Sequence, residues 1–155
     1  MNEETSRAIS NEVDRLLQVD FIQETLYPDW LSNSVLVKKK NGKWKIGIDF
    51  TNLNEACPKV SYLLPRINQL VEVTAGHELL SYMNAYSDYN QIKMHLPDED
   101  DITFITDQGI YCYEVMSYGL KNTGAIFQQT VNKIFKDLIG ITMKVYIDDM
   151  LVKSV

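Results

Sequence analysis

Apolar side chains recur along this chain with two different periods, and the switches between them predict a mixed α/β order. Ile9, Val13, Leu16 and Leu17 follow helical spacing, which predicts a short amphipathic helix near 5–19. Alternation takes over at Ser34–Lys38 and Trp44–Phe50, and Asn41-Gly42 between them is a two-residue turn signal, so 34–50 reads as a hairpin. Gly47 is expected to weaken its second strand. Pro58 and Pro65 punctuate a loop, after which Ile67, Leu70 and Val71 suggest a helix running to Gly76. Glu78–Met83 reads as a largely buried strand and 97–101 as a solvated acidic loop. Ile102–Thr106 and Ile110–Met116 form a second expected hairpin around Asp107-Gln108-Gly109. A longer helix is expected from Thr123 to Ile139, with Phe127, Val131, Ile134 and Leu138 on one face, Asn122 or Thr123 capping its start and Gly140 its end. In the closing segment Met143, Val145 and Ile147 alternate with Thr142, Lys144 and Tyr146, which is strand periodicity. Asp148-Asp149 then interrupts two β-type runs and reads as a hairpin turn. One compact α+β unit accounts for this order.

Composition narrows the class. With 155 residues, 45% hydrophobic and 23% charged, the chain is one domain long and rich enough in apolar residues for a real core. No apolar run approaches a membrane span and the first residues are polar and acidic, so neither a membrane partner nor a secretory signal is expected. Cys57 and Cys112 have no paired-ligand spacing and read as reduced intracellular thiols. The net charge of −6 argues against tight non-specific nucleic-acid binding by the chain as a whole. Positive charge is nevertheless concentrated at Lys38, Lys39, Lys40, Lys43 and Lys45. On a hairpin tip these lysines make either a basic finger for phosphates or a solubilising edge. The acidic pair also has two readings. Asp-Asp can be a plain polar turn, or two like charges gathered to bind a divalent cation such as Mg²⁺, which takes one or two carboxylates plus substrate phosphates.

A set of motifs in fixed order decides between these readings. KKKNGKWKIGIDFTNLN (38–54), LPRINQL (64–70), ELLSYMNAYSDYNQI (78–92), YGLKNTGAIFQQ (118–129) and YIDDMLVKS (146–154) together resemble the reverse transcriptase domain of a gypsy-type LTR retrotransposon Pol polyprotein, of the kind abundant in plants. The resemblance runs from about Glu12 to the end. It implies the fingers and partial palm of a right-hand polymerase, with an antiparallel palm sheet packed on helices: an N-terminal helix and fingers-like part over about 1–77 and a palm over about 78–155. It also implies that thumb, ribonuclease H and integrase regions are absent, that little processive synthesis results, and that the location is intracellular: cytoplasmic, in a virus-like particle, or nuclear.

The resemblance further implies a site. Three palm carboxylates hold two Mg²⁺ or Mn²⁺ ions, which activate the primer 3′-hydroxyl and stabilise the phosphoryl transition state. Asp148 and Asp149 match two of them. At the third position the family has Asp and this chain has Asn84, whose amide offers an oxygen but no charge, so cation binding and activity are both expected to be weakened. Asp88 stands where the family has Gly and is expected to repel the nucleotide rather than compensate. Lys45 matches a triphosphate-gripping Arg without its bidentate fork, Tyr89 the steric gate against a ribose 2′-hydroxyl, and Tyr118 with Gly119 the nucleotide pocket. Lys38, Lys39, Lys40 and Lys43 would meet phosphates of nucleotide or template, and Gln128 is expected to face the template. Template-primer and deoxynucleoside triphosphates are thus the implied partners. Ser117, Thr123, Val60, Leu63 and Asn68 depart from the family pattern as well, so a non-catalytic relic with at most weak nucleic-acid binding stands beside the polymerase reading.

Overall fold

The computed structural model describes residues 3–154 apart from 43, 67, 69, 70, 73, 74 and 86, and of Asp88 the backbone. Within it the chain forms two compact units, each built from two stretches of sequence: 1–58 with 90–120, and 59–89 with 121–155. Neither unit is therefore a contiguous half. The first carries 8 basic and 15 acidic side chains, the second 7 and 6, so the net negative charge belongs to the first.

In the first unit, helix α1 (Glu3–Gln18) is followed by strands β1 (Ile22–Glu24), β2 (Ser32–Lys38) and β3 (Trp44–Asp49) and a short helix α2 (Thr51–Ala56). One-turn helix α3 (Leu96–Glu99) precedes β5 (Thr103–Ile105) and β6 (Ile110–Tyr113). The five strands run in the order β1-β6-β5-β2-β3, antiparallel except for β2 with β5. Ile9, Val13 and Leu16 of α1 close the core with Ile22, Phe50, Ile102, Phe104, Tyr111, Tyr113 and Val115, as their helical spacing requires. The β2–β3 hairpin forms as expected, but Lys38 pairs with Trp44, so its connection is 39–43 rather than the two residues Asn41-Gly42, and Gly42 at φ 79 gives its N–H to the Lys39 carbonyl at 2.9 Å. Gly47 keeps its place opposite Val35 without breaking the ladder.

The acidic segment is not simply a solvated loop. Leu96–Glu99 coils into one helical turn, and Glu99 is only 9% exposed, where its Oε2 accepts a bond from Gln23 Nε2 at 3.3 Å. Burial, with Glu114 adding repulsion, raises its carboxyl above the usual range.

The second unit is a three-stranded antiparallel sheet, ordered β4 (Leu80–Asn84), β8 (Asp149–Lys153), β7 (Met143–Tyr146), with helix α4 (Thr123–Ile134) packed on β7. Phe127 and Val131 of α4 are buried with Met143, Val145, Met150 and Leu151. The helix ends earlier than its apolar pattern suggested. Beyond Ile134 the chain continues in turns to Gly140 at φ 92, leaving Ile134 and Leu138 exposed. The expectation of a buried strand at Glu78–Met83 also fails, because among the described residues β4 is an edge strand paired only with β8 and all five of its residues are exposed. The helix expected from Ile67 to Gly76 falls largely outside the described residues.

Candidate active site

The site grows from the β7–β8 hairpin. Tyr146 pairs with Asp149, so the two-residue loop is Ile147-Asp148, and Asp149 already opens β8. The turn is thus shifted one residue from the acidic pair. Ile147 sits at φ 51, a positive value at the first loop residue that is the mark of a type II′ turn and usually belongs to glycine. A β-branched residue there is strained by about 1–3 kcal/mol and must be held by its surroundings.

Gln128 does the holding. It is fully buried on α4, its Oε1 accepts the Ile147 N–H at 2.6 Å, and its Nε2 reaches the Val145 carbonyl at 3.3 Å and Asn132 Oδ1 at 2.9 Å. Asn132 in turn donates to the Tyr62 hydroxyl at 2.6 Å. The expectation that Gln128 faces a template is therefore corrected. Its position on the helix face turned to β7 puts the amide where two backbone groups of the turn need partners, and no solvent reaches it. One turn of the helix earlier, Gly124 lies beside the Ile147 side chain, which is 3.7 Å from where a Cβ would stand, an ordinary packing distance.

The sheet register brings the third position alongside. Asn84, the last residue of β4, is the direct partner of Asp149, which is itself the partner of Tyr146. Directly opposed residues share a face with Cβ atoms about 4.5–5.5 Å apart. Asn84, Asp149 and Tyr146 thus form one row, with Asp148 on the turn beyond it. Asp149 is exposed and Asp148 half-buried. Asp148 Oδ2 accepts the Tyr89 hydroxyl at 3.1 Å, and its Oδ1 is out of contact with solvent. Tyr89 stands edge-on to Phe127, with ring centroids 5.3 Å apart at 86°.

The donors suit a hard divalent cation: two carboxylates and one amide oxygen, all oxygen ligands on adjacent positions. Among the described residues no cluster of three or more His, Cys, Asp or Glu is placed to hold a metal ion. Asp88 begins a 3₁₀ turn (Asp88–Gln91) four residues past Asn84, and its side chain lies outside what is described.

The remaining expected residues lie in the first unit. Lys45 of β3 has its Nζ 5.6 Å from the centre of the Tyr118 ring, and Tyr118 is half exposed. Gly119 follows at φ 92, its carbonyl accepting Asn54 Nδ2 at 2.7 Å, and a Cβ there would lie 3.7 Å from the Phe50 ring. Lys38 and Trp44 are cross-strand partners, with the ammonium 5.0 Å from the ring centre. Glu4 of α1 accepts the Trp44 indole N–H at 3.0 Å and lies 3.8 Å from Lys38 Nζ. Lys39 and Lys40 are exposed at the hairpin tip, whereas Lys43 lies outside the described residues.

Sequence reasoning missed Asn132 and Tyr62, which stand behind Gln128. Nothing in their spacing marks them, since they meet only through the fold.

Residues 37–155 match the family described as reverse transcriptase (RNA-dependent DNA polymerase). The chain is 31% identical over 151 residues to the retrovirus-related Pol polyprotein from transposon opus of Drosophila melanogaster, covering 94% of this chain and 15% of that protein. It is 28% identical over 148 residues to the transposon Tf2-3 polyprotein of Schizosaccharomyces pombe, covering 96% and 11%. It thus spans less than a fifth of either relative. Among solved structures, native prototype foamy virus protease–reverse transcriptase superposes with a TM-score of 0.82 at 17% identity, over 99% of this chain and 20% of that one. The foamy viral enzyme in complex with an RNA/DNA hybrid gives 0.83 at 15% identity, over 99% and 20%.

Proposed function

The chain belongs to the reverse transcriptase family, and from that premise we propose that it is the fingers and partial palm of an RNA-directed DNA polymerase from a gypsy-type retrotransposon polyprotein, with nucleotidyl transfer impaired in this copy. The observation that carries the reading is the register of Asn84 opposite Asp149, beside the strained turn that bears Asp148. Asn84 and Asp149 in the row, with Asp148 on the turn beyond, would supply the three positions that the family resemblance gives to carboxylates, and Asn84 is neutral.

In the reaction, the primer 3′-oxygen forms a bond to the α-phosphorus of a deoxynucleoside triphosphate while the bond to pyrophosphate breaks. Bound Mg²⁺ or Mn²⁺ supplies Lewis-acid stabilisation and eases loss of the hydroxyl proton. Asp148 and Asp149 would hold the cation, and Asn84 would offer only its carbonyl oxygen. Losing one such electrostatic contact costs about 2.7–4 kcal/mol, or 10²–10³ in rate. Lys45 against Tyr118 would receive the triphosphate as a point charge, and Lys38, Lys39, Lys40 and Lys43 would meet phosphates of nucleotide or template. Tyr89 would bar the ribose 2′-hydroxyl. Template-primer binding is supported by the foamy viral structure with an RNA/DNA hybrid. No described helix is long and apolar enough to cross a membrane. The family resemblance alone supports an intracellular setting, in the cytoplasm, a virus-like particle or the nucleus.

Primer extension on an RNA template tests the proposal. The unmodified chain should incorporate nucleotides at least about a hundredfold more slowly than its Asn84→Asp variant. Equal rates would remove the impairment. No incorporation by either, with no nucleic-acid binding, would favour the relic reading.

A further inference from the structure

Tyr89 makes a contact that the role of its ring does not require. Its hydroxyl donates to Asp148 Oδ2 at 3.1 Å in a half-buried setting, where a charge-assisted bond is little screened. The ring is fixed from behind by Phe127, which is 5% exposed on α4. Ser87 stands at φ 59 just before the 3₁₀ turn that carries Tyr89. The carboxylate's second oxygen is out of contact with solvent. The oxygen that an incoming cation would use is therefore the one that already holds the phenol.

We propose that Tyr89 is a positioning residue that caps Asp148, so that its hydroxyl and a divalent cation exclude one another at Oδ2. This rests on the reading of Asp148 as a cation ligand. Mg²⁺ binds carboxylate oxygen at about 2.0–2.1 Å in near-ideal octahedral geometry. Sharing Oδ2 would set the positive end of the phenol O–H against a dication on one atom. Oδ1 is out of contact with solvent, so Oδ2 is the oxygen that a cation entering from solvent meets first. Release of the phenol is the remaining route. With Asn84 neutral, the cap engages one of only two carboxylates in the row and turn, so it bears directly on affinity. Cation binding then also frees the ring of Tyr89, which ties the gate to the metal.

The test is Mn²⁺ titration of the full chain, following the loss of the free-ion electron paramagnetic resonance signal, with Tyr89→Phe and Asp148→Asn variants. Each is made in the natural and the Asn84→Asp background, the latter to bring binding into a measurable range. Tyr89→Phe keeps the ring on Phe127 and removes the hydroxyl that caps Asp148, so the Mn²⁺ dissociation constant should fall about tenfold or more in both backgrounds. An unchanged or weaker constant, with binding still lost in Asp148→Asn, overturns the cap and leaves the metal reading standing. Binding that survives Asp148→Asn unchanged removes the metal reading and the cap with it. The Asn84→Asp chain gives a second reading without any change at position 89. Saturating Mn²⁺ should produce a tyrosine difference absorbance as the phenol loses its carboxylate, and a flat spectrum at saturation contradicts the proposal.

Discussion

The side-chain oxygen of Gln128 accepts the backbone N–H of Ile147 at 2.6 Å, and this bond holds the residue before Asp148 in a conformation that β-branched side chains avoid. The same amide reaches the Val145 carbonyl on the preceding strand. The acidic hairpin thus takes its shape from α4 as much as from its own sequence. Gln128→Leu leaves the turn's N–H buried without its acceptor. It should destabilise the chain by about 2–4 kcal/mol in denaturant unfolding, since orphaning one buried group costs about 1–3 and a second bond is lost. A loss below about 0.5 kcal/mol would show that the turn holds itself.

Lys45 and Tyr118 form a cation–ring pair at 5.6 Å in place of the planar fork that the family's Arg would bring. Lys45→Arg should tighten deoxynucleoside triphosphate binding several-fold, up to about tenfold, in a fluorescence polarisation titration with a labelled nucleotide, and Lys45→Ala should weaken it by a similar factor. Equal affinities for all three would remove Lys45 from the nucleotide contact.

Strand β4 leaves Tyr82 76% and Met83 42% exposed on an edge, the arrangement that templates pairing between chains. Tyr82→Lys should slow aggregation on light scattering at a fixed concentration while changing stability by no more than about 0.5 kcal/mol. Unchanged scattering would place the association surface elsewhere.

Glu99 is held above its usual carboxylate range by burial and by Glu114. A group whose folded pKa is raised contributes stability that is complete below the unfolded value and is lost as pH rises through the folded one. Glu99→Gln keeps an acceptor for Gln23 and cannot ionise. It should raise the melting temperature at pH 7 and leave it unchanged at pH 3, whereas an equal shift at both pH values would assign the effect to packing.

Much of the fold was legible because local periodicity and burial agree where an element has one buried face. α1 shows this with Ile9, Val13 and Leu16, and the β2–β3 hairpin shows it through the conformation that Gly42 supplies. Reading failed where burial is set by neighbours distant in sequence. Leu80 to Met83 are apolar enough for a core but lie on an edge, and Glu99 is acidic but covered beside Gln23. The site divides in the same way. Asp148, Asp149 and Asn84 are found by motif, and the register between β4 and β8 brings Asn84 level with Asp149. Gln128 is also found by motif, but its role was misread. A helix residue beside a strained turn and one beside a template have the same sequence signal, and only burial tells them apart.

On the proposed function, Asn84 leaves the site of Asp148 and Asp149 one carboxylate short for a divalent cation. Calorimetric titration of Mg²⁺ into the natural chain and its Asn84→Asp variant tests it most directly. The natural chain should bind weakly and Asn84→Asp should bind at least about tenfold more tightly, since restoring charge at a shared ligand position is worth upwards of about 1.4 kcal/mol. A natural chain that binds Mg²⁺ as tightly as Asn84→Asp would contradict it.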